Sequence, residues 1–448
     1  MTATPLPLLS AFEAEQPLFL IGPQIVTQGR FLAQAVAISR TLPSTGHLIN
    51  LCNDRYLFAL SFAAALIQGA VSLFPPNRLA ATCHAIALDY PGAHCVTDTP
   101  VEGLDLPVQT IREPSTGDDG VPPVPPIETD RLAFVAFTSG STGGPRPQPK
   151  YWGDLVGCAV AAARRFGFGP GHSIVATVPP QHMYGLELSI LVPLVTGARI
   201  SAARPFFPAD IQAALGRAPG SRVLVTTPVH LRACVDADLQ WPALDLVISA
   251  TAPLPVELAE QAETLWSTRV CEIYGSTESG SIASRETCRD PLWRWYDGVR
   301  AERDGESVSV CAPYIHGRVP LADLLADEPD GRFRLIGRSA EMIKVGGKRA
   351  SLAELNQRLN AIDGVADGVF VAPDSDRDQV GRLAVIAVAP GLDRRAIIAG
   401  LAGRIDPVFH PRRVVFVDRL PRNEAGKLPR EALLRLLAGD GARTHDAH

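Results

Sequence analysis

The sequence predicts an α/β protein, with a large N-terminal domain of layered βα units and a small, mobile α+β domain at the C-terminus. Short β-rich apolar runs alternate with amphipathic stretches, as expected for strands and helices around largely parallel sheets. The clearest of these runs cover residues 47–51, 174–178, 222–226, 244–249 and 270–273. After residue 338 the chain begins a separate small αβ pattern. We therefore expect an N-terminal domain over 1–338, a C-terminal domain over 339–448 and a hinge near 338–341.

A Pro-rich acidic connector divides the predicted N-terminal domain. Residues 113–130, EPSTGDDGVPPVPPIETD, cannot form a helix through their prolines. We expect this stretch to cross the surface where two subdomains meet, and we interpret it as a linker rather than a ligand site.

The composition restricts the possible partners and location. The chain has 448 residues, 46% of them apolar, and a formal net charge of −5. This acidic balance argues against nucleic acid as a partner, because binding to a phosphate backbone needs a basic face. The first residues lack the pattern of a signal peptide, and residues 58–74, the most apolar stretch, are predicted to be a core helix running into a strand rather than a membrane span. The eight scattered cysteines are expected to be buried, reduced thiols of a cytoplasmic protein.

The residues after an apolar run at 134–137 suggest a phosphate-binding loop. The sequence from 134 to 150 is FVAFTSGSTGGPRPQPK. It has no bulky side chain between 138 and 144, so backbone N–H groups and hydroxyls can converge on an anion. The candidate phosphate ligands are Thr138, Ser139, Gly140, Ser141, Thr142 and Gly143. A flexible Gly/Ser linker is the competing interpretation, and the stretch lacks the Gly-Lys-Ser or Gly-Lys-Thr of a Walker A loop.

Three later stretches also carry candidate site residues. In IYGSTESG, residues 273–280, Tyr274 offers a flat face for a purine and Glu278 an oxygen ligand for Mg²⁺. Residues 329–355 contain the loop KVGGKR before a helix, for which a solvated basic loop is the alternative. In PRNEAGKLPREAL, residues 421–433, Lys427 follows a glycine in a turn, and the pattern alone predicts a solvated lysine.

Taken together, in this order and at these separations, the four stretches resemble the motifs of the adenylate-forming superfamily, which includes acyl- and aryl-CoA synthetases, peptide-synthetase adenylation domains and luciferases. The phosphate loop of that family, TSG(S/T)TGxPK, is matched at 138–146 except in its last position. The other matches are Tyr274, Gly275, Thr277 and Glu278 in the aromatic-Gly-x-Thr-Glu turn, Gly337, Arg338, Ile343, Lys344, Gly347 and Arg349 in the GRx(D/K)xxIKxxGxR segment, and Gly426, Lys427, Leu428 and Arg430 in the GK(I/L)xR ending. The resemblance runs from about residue 45 to residue 435. It implies ATP-dependent adenylation of a carboxylic acid with release of pyrophosphate.

The resemblance implies a role for each motif. The loop at 138–143 would hold the β- and γ-phosphates, while Thr277 and Glu278 would contact the α-phosphate and Mg²⁺. Lys427 would bridge the carboxylate and the α-phosphate, which supplies positive charge between two anions that repel each other. The adenine would lie between the ring of Tyr274, which precedes Gly275, and the backbone of a second turn. That second turn consists of Ala250, Thr251 and Ala252.

Ribose binding departs from the family pattern. The family usually has a Tyr-x-Thr-Gly-Asp motif, whereas this chain reads RVPLADLLADEPDG. We assign the ribose to Asp323, with Arg338 assisting, because their spacing fits the register of the family. A surface aspartate near a turn is the alternative.

The phosphate loop and the hinge depart from the family as well. Arg146 replaces the phosphate-loop lysine, and Lys150 follows four residues later. Either cation could neutralise pyrophosphate, and we favour Lys150 because the prolines around it would hold an extended arm. At the hinge, Ala340 stands where the family has Asp or Lys, so Glu341 is left as a candidate for any polar hinge role.

The resemblance also implies a second step, in which the acyl group is transferred to a thiol. In the family the small domain changes orientation, and a glycine-rich loop then lines a tunnel for pantetheine; here that loop follows Lys344 and contains Gly346 and Gly347. The acceptor is either CoA or a phosphopantetheinyl acyl carrier protein. An arginine group favours the acidic carrier protein, although a solvated basic patch would look the same; its members are Arg412, Arg413, Arg419 and Arg422.

The acid pocket is predicted from PPQHMYGLE, residues 179–187, together with the segment SATAPLP. His182 fits the HxxG pattern of the family and would close the pocket over the reacting carboxylate, unless it is a hydrogen-bonded core histidine. Tyr184, Gly185 and Ser249 would shape the pocket.

The chain is most similar to the stand-alone ligases of aryl-polyene and xanthomonadin-type pigment clusters, which implies an aryl acid such as 3- or 4-hydroxybenzoate. A fatty-acyl ligase, a luciferase-like oxygenase, a β-lactone-forming member and a nucleotide-binding scaffold without chemistry share the motifs and stay open.

Overall fold

The computed structural model describes residues 4–44, 46–114, 120–139, 145–305, 307–338, 342–345, 348–372, 383–422 and 428–439. The strands are β1 (Leu6–Pro7), β2 (Pro17–Ile21), β3 (Gln24–Thr27), β4 (His47–Asn50), β5 (Val71–Phe74), β6 (His94–Thr97), β7 (Val108–Thr110), β8 (Pro126–Ile127), β9 (Leu132–Ser139), β10 (Pro145–Tyr151), β11 (His172–Ala176), β12 (Arg199–Ser201), β13 (Ser221–Thr226), β14 (Leu246–Ser249), β15 (Arg269–Ser276), β16 (Gly280–Glu286), β17 (Arg294–Trp295), β18 (Arg300–Asp304), β19 (Ser307–Cys311), β20 (Val319–Pro320), β21 (Asp323–Asp327), β22 (Phe333–Arg338), β23 (Met342–Val345), β24 (Lys348–Ser351), β25 (Asp367–Val371), β26 (Ala384–Val388) and β27 (Arg413–Phe416). The helices are α1 (Gln28–Ser39), α2 (Arg55–Gln68), α3 (Ala80–Asp89), α4 (Trp152–Phe166), α5 (Met183–Leu186), a π-helical segment (Glu187–Leu191), α6 (Val192–Thr196), α7 (Pro208–Arg217), α8 (Pro228–Val235), α9 (Val256–Trp266), α10 (Leu352–Asn360), α11 (Arg394–Leu401), a 3₁₀ turn (Pro407–Phe409) and α12 (Arg430–Ala438).

Two large sheets form the N-terminal part of the protein. The first has the strand order β10-β9-β5-β4-β6-β7, and only its β9–β10 hairpin is antiparallel. The second has the order β17-β16-β15-β14-β13-β11-β12-β2-β3, with a parallel centre and antiparallel edges. One apolar cluster contains side chains from both sheets and from the helices between them, including Phe58, Trp152, Leu186 and Ile248. The two sheets therefore share a core.

The C-terminal part has its own small core. The sheet β25-β26-β27 packs against α10 and α11 through Leu359, Val385 and Ile397. Leu433 of α12 packs with Ile386 in a separate cluster. This arrangement agrees with the predicted α/β fold class, with a large N-terminal domain and a smaller C-terminal one.

Most of the predicted elements are confirmed, with differences of one to a few residues at their ends. The apolar stretch at 58–74 is helix α2 followed by β5, and the run at 134–137 lies inside β9. The connector at 113–130 has no helix in its described parts, where β8 pairs with β1. All eight cysteines are free, and six of them are buried. Within the described ranges, no helix is both long and apolar enough to cross a membrane.

Candidate active site

The candidate residues gather at the carboxyl ends of the parallel strands of the second sheet. Strands β11, β13, β14 and β15 are neighbours there, and the turns after β14 and β15 carry the predicted nucleotide ligands. The carboxyl edge of a parallel sheet is where α/β proteins commonly bind ligands. Pairing between these strands thus brings together residues that are far apart in the sequence.

The predicted adenine turn has a strained backbone. Thr251 has φ of +78°, one of two positive-φ residues other than glycine among the described residues. Such a conformation costs about 1–3 kcal/mol and persists only where neighbouring contacts hold it. One such contact comes from Glu272, whose Oε1 accepts from the Leu254 N–H at 2.9 Å. Arg285 in turn pairs with Glu272, so contacts within the protein support the shape of the turn.

The residues predicted to bind the purine and the ribose contact each other. The hydroxyl of Tyr274 donates to Oδ2 of Asp323 at 2.8 Å, although 49 residues separate them. Asp323 is also the cross-strand partner of Arg338 in the β21–β22 pair. The three residues predicted to contact the nucleoside therefore lie side by side.

An aromatic cluster supports the ring of Tyr274. Trp293 meets that ring edge-on at a centroid distance of 5.7 Å, and Phe333 lies 6.0 Å from it. Trp295 stacks on Phe333 at 4.0 Å. The cluster restricts the ring of Tyr274 to one orientation beside Asp323.

The turn after Tyr274 is tight. A Cβ on Gly275 would lie 2.1 Å from the carbonyl oxygen of Gly280, so only glycine fits. Ser276 and Ser279 close the turn with hydrogen bonds between their hydroxyls and backbone N–H groups. Glu278 is exposed and Thr277 is partly exposed. Both polar groups are thus presented by a rigid turn.

The chemistry of Glu278 fits a magnesium ion. In phosphate sites Mg²⁺ is commonly held by one or two carboxylates together with water and substrate oxygens. Among the described residues, no group of three or more His, Cys, Asp and Glu side chains is placed to hold a metal ion. Glu278 is therefore a candidate protein ligand for such an ion.

The two candidate cations occupy different ends of the phosphate hairpin. Arg146 lies opposite Thr138 at the loop end of the hairpin and is exposed, whereas Lys150 lies opposite Phe134. The ammonium of Lys150 donates to the backbone oxygen of Glu278 at 2.6 Å. Burial lowers the pKa of Lys150. Lys150 thus connects the hairpin to the Glu278 turn, and Arg146 is the cation at the loop.

A cavity of about 230 Å³ lies beside this contact. Its wall includes Lys150, Asp154, Cys158, Glu278 and Met183. Burial raises the pKa of Asp154. The cavity joins the phosphate hairpin and the Glu278 turn to the start of the acid-binding helix.

The predicted acid-binding residues lie at the start of helix α5. His182 is the N-cap of this helix. The hydroxyl of Tyr184 lies 2.8 Å from the carbonyl oxygen of Ile248 and 3.2 Å from that of Thr226. A Cβ on Gly185 would lie 2.0 Å from the oxygen of Pro179, so the helix and the preceding turn approach as closely as glycine allows. These contacts place the ring of Tyr184 across the strand ends.

Ser249 ends strand β14 and is fully buried. Its Oγ has no hydrogen-bond partner among the described residues. A buried hydroxyl without a partner is unfavourable unless a ligand or water reaches it.

Two buried charges near the site were not predicted from the sequence. Glu187 is fully buried, and burial raises its pKa to about 7. Arg55 is fully buried as well, and burial lowers its pKa to about 9. Arg55 donates to the carbonyls of Ala176 and Val178 and to Ser189. The signal in the sequence was a charged residue within or beside an apolar run, which is costly unless the charge has a specific use.

Several predicted site residues cannot be placed. Gly140, Ser141, Thr142, Gly143, Gly346, Gly347 and Lys427 lie outside the described residues, as do the hinge candidates Ala340 and Glu341. For Thr138, Ser139, Arg338 and Lys344, only the backbone is described. Their roles stay predictions.

The four C-terminal arginines proposed to favour a carrier protein differ in their contacts and exposure. Arg422 makes two hydrogen bonds to Asp367, at 2.7 and 2.8 Å, and Arg413 donates to the carbonyl of Leu437. Arg412 and Arg419 are exposed. Arg413 is exposed as well, so a basic surface at this position would rest mainly on Arg412, Arg413 and Arg419.

Fold and site together define an enzyme that forms acyl adenylates. Residues 41–320 match the AMP-binding enzyme family, and residues 354–427 match the AMP-binding enzyme C-terminal domain. The chain belongs to the AMP-binding enzyme family, that is, to the acid–CoA ligases of the adenylate-forming superfamily, which adenylate an acid with ATP and then join it to CoA.

Individual relatives include ligases of different acids. The 4-coumarate–CoA ligase of Cereibacter sphaeroides is 31% identical over 304 residues, covering 66% of this chain and 70% of that protein. The sulfoacetate–CoA ligase of Cupriavidus necator is 27% identical over 377 residues, covering 74% of each chain. Among solved structures, the anthranilate CoA ligase AuaEII with anthranoyl-AMP has a TM-score of 0.82 at 16% identity and covers 97% of this chain and 98% of its own. The o-succinylbenzoate CoA synthetase of Bacillus subtilis with its acyl-adenylate has a TM-score of 0.79 at 18% identity, covering 94% and 95%.

Proposed function

We propose that this enzyme activates an aryl acid, such as 3- or 4-hydroxybenzoate, as its adenylate and passes the acyl group to a phosphopantetheine thiol. The contact between Tyr274 and Asp323 carries the nucleotide part of the proposal, because it joins a purine-stacking ring to a ribose-binding carboxylate. The aryl part is supported by relatives named for 4-coumarate, anthranilate and o-succinylbenzoate. The free cysteines support a cytoplasmic location.

Each residue has a role that follows from the charges of the reaction. A carboxylate attacks the α-phosphate of ATP, so positive charge and orientation are needed where the two anions meet. We assign orientation of the phosphate to Thr277, and charge to Lys427 and one of the two hairpin cations. The hydrogen bond of Lys150 to the Glu278 backbone favours Arg146 over Lys150 for this role. A Mg²⁺ ion held by Glu278 would spread the negative charge of the transferring phosphate.

The acid would lie between His182 and the strand ends. His182 begins α5, and the ring of Tyr184 is fixed by the carbonyls of Ile248 and Thr226. We infer that a ring held across the carboxyl ends of β13 and β14 limits the length of acid that can bind. A short, flat acid fits such a pocket better than a long flexible chain.

An acyl carrier protein is proposed as an acceptor of the acyl group alongside CoA. Arg412 and Arg419 are exposed on the C-terminal part, and carrier proteins present acidic surfaces. Lys344, Gly346 and Gly347 are the candidates for the wall of the pantetheine tunnel.

Acid-dependent exchange of labelled pyrophosphate into ATP tests the adenylation step. The assay compares benzoates, cinnamates and fatty acids, and then adds CoA or a holo-carrier protein to capture the thioester. We expect exchange with hydroxybenzoates and none with fatty acids. Lys427→Ala should abolish the exchange, because the only cation assigned to bridge both reacting anions is removed.

Three outcomes would contradict parts of the proposal. Exchange with fatty acids alone would exclude the aryl substrate. Transfer to CoA without transfer to any holo-carrier protein would exclude the carrier protein as an acceptor. Nucleotide binding without exchange for any acid would indicate a scaffold without chemistry.

A further inference from the structure

The turn that carries Thr277 and Glu278 is held from two sides by buried charged side chains. On one side, Lys150 of β10 donates to the backbone oxygen of Glu278 at 2.6 Å. On the other side, Oε2 of Glu187 accepts from the backbone N–H of Ser281 at 3.1 Å and from its hydroxyl at 2.9 Å. The two charges have opposite signs and come from different structural elements.

Glu187 belongs to the segment that binds the acid. It follows α5 directly and opens the π-helical segment Glu187–Leu191. Segments of π-helix are rare and occur frequently at functional sites. Burying a carboxylate costs several kcal/mol unless its partners compensate, so a leucine would suit this apolar surrounding better if packing were its only task.

The contact between the two segments leaves no room for adjustment. Gly280 has φ of +67°, and a Cβ there would lie 2.7 Å from the Cys158 sulfur and 3.8 Å from Oε2 of Glu187. The backbone of the turn therefore rests directly on α4 and on the Glu187 carboxylate. A shift of the acid-binding segment would move the turn with it.

We propose that Glu187 is a positioning residue, which fixes the Thr277–Glu278 turn relative to the acid-binding segment through its two hydrogen bonds to Ser281. The inference rests on the proposed adenylation reaction and adds to it a link between the acid pocket and the phosphate and metal ligands. Lys150 supplies the matching link from the phosphate hairpin. The three parts of the site are thereby held in one geometry.

Two substitutions at Glu187 separate this role from simple packing. Glu187→Leu removes both hydrogen bonds, whereas Glu187→Gln keeps an oxygen acceptor for the Ser281 N–H. We expect Glu187→Leu to lower the pyrophosphate exchange rate at saturating acid and ATP by about tenfold or more, because misplacement of groups by about 1 Å can cost that much. The Mg²⁺ concentration for half-maximal exchange should rise severalfold, while the KM for the acid should change by less than about twofold. Glu187→Gln should recover most of the rate.

Two further variants test whether the losses come from misfolding or from a Glu→Gln change in general. Ser281→Ala removes one of the two donors and keeps the other, so it should show a smaller loss in the same direction even if Glu187→Leu does not fold. Glu257→Gln makes the same chemical change on the exposed surface of α9 and should leave all parameters unchanged. Thermal unfolding of each variant gives the folded fraction.

The outcomes distinguish this inference from the proposed function. If the wild type exchanges pyrophosphate and the folded Glu187→Leu and Ser281→Ala variants match it in rate and Mg²⁺ dependence, the positioning role is overturned. A loss that merely follows the folded fraction also overturns it. If the wild type exchanges with no acid at all, the proposed function fails, and this inference fails with it.

Discussion

At the scale of single residues, the site depends on charges that burial shifts towards their neutral forms. Burial raises the pKa of Glu187 to about 7 and lowers the pKa of Lys150. The desolvation of a charged group is the common cause. These groups keep their places because each is hydrogen-bonded to the backbone of the same turn.

The raised pKa of Glu187 predicts a pH-dependent stability. The folded state binds the proton of this carboxyl more tightly than the unfolded chain, so its contribution is greatest at low pH and is lost as the pH rises to about 7. Between pH 5 and 8 the stability of the wild type should fall relative to Glu187→Gln by up to roughly 3 kcal/mol. Denaturant unfolding of both proteins at the two pH values measures this difference. Equal stability differences at both pH values would show that the carboxyl keeps an ordinary pKa.

The same comparison must allow for the neighbouring groups that titrate. Those facing Glu187 are Lys150, Cys158, Tyr184, Tyr296 and Tyr314. Burial raises the pKa of the cysteine and of all three tyrosines. These four groups therefore stay neutral across the range of the measurement.

Removing the charge of Arg146, the hairpin cation at the loop end, should slow the exchange of pyrophosphate into ATP. Arg146→Ala is expected to lower the exchange rate by about 10- to 100-fold, because a charge-assisted hydrogen bond to phosphate is worth about 1.5–3 kcal/mol. Arg146→Lys should restore much of the rate, since lysine also serves as a phosphate-binding charge. Steady-state exchange as a function of ATP concentration measures both effects. A full rate for Arg146→Ala would return the phosphate role to Lys150.

At the scale of structural elements, the acid-binding segment is held together by close backbone contacts. Helix α5 continues into the π-helical segment and then into α6, which has Pro193 in its first turn. A proline has no N–H to donate to the carbonyl four residues before it. The wider π-helical turn fits this interruption of the α-helical ladder and places Glu187 and Ser189 towards buried partners.

Gly185→Ala tests the packing of this segment. The added Cβ would lie 2.0 Å from the oxygen of Pro179, so the helix start must shift. We expect a loss of about 1–3 kcal/mol in the free energy of unfolding and a higher KM for the acid. Gly216→Ala, in helix α7, is the control, because no atom lies within 4 Å of its Cβ; it should stabilise the protein by about 0.5–1 kcal/mol. An unchanged KM in Gly185→Ala would mean that the start of α5 does not shape the pocket.

The sequence predicts elements well where the pattern is local. The strand at 134–137 and the helix after the KVGGKR loop follow from local sequence patterns, and both are present. The ribose assignment came from the register of the family motif, even though its Tyr, Thr and Gly are missing, and it stays a prediction. The structure adds that the hydroxyl of Tyr274 donates to Asp323.

Contacts between distant segments were not predictable in the same way. Lys150 and Glu278 lie 128 residues apart, and Glu187 and Ser281 lie 94 apart. Each contact depends on which strands are neighbours in the two sheets, and apolar periodicity does not contain that information. The choice between Lys150 and Arg146 as the phosphate cation had the same limit, because the spacing along the hairpin does not show which groups each side chain contacts.

At the scale of the whole molecule, the surface charge bears on the acyl acceptor. The chain carries a net charge of −5, so an acidic carrier protein would be repelled except at a local basic region. The exposed Arg412 and Arg419 are the candidates for that region.

Charge reversal tests this surface directly. Arg412→Glu combined with Arg419→Glu should lower kcat/KM for transfer to a carrier protein by about tenfold at low salt, because rim charges mainly control association. Transfer to CoA should change by less than about twofold, and higher salt should reduce the difference. Arg358→Glu on α10 is a matched control in the same region of the chain. Equal losses with both acceptors would place these arginines in the thiol reaction itself.

The aromatic cluster around Tyr274 also provides an intrinsic fluorescence signal for nucleotide binding. All five tryptophans precede residue 338, and two of them, Trp293 and Trp295, belong to this cluster. A purine stacked on Tyr274 would alter the surroundings of Trp293 and therefore its fluorescence emission, without any added label. Because residues 339–448 contain no tryptophan, that emission would report nucleotide binding in the large domain. A single tryptophan introduced after residue 338 would then test whether the small domain changes its orientation.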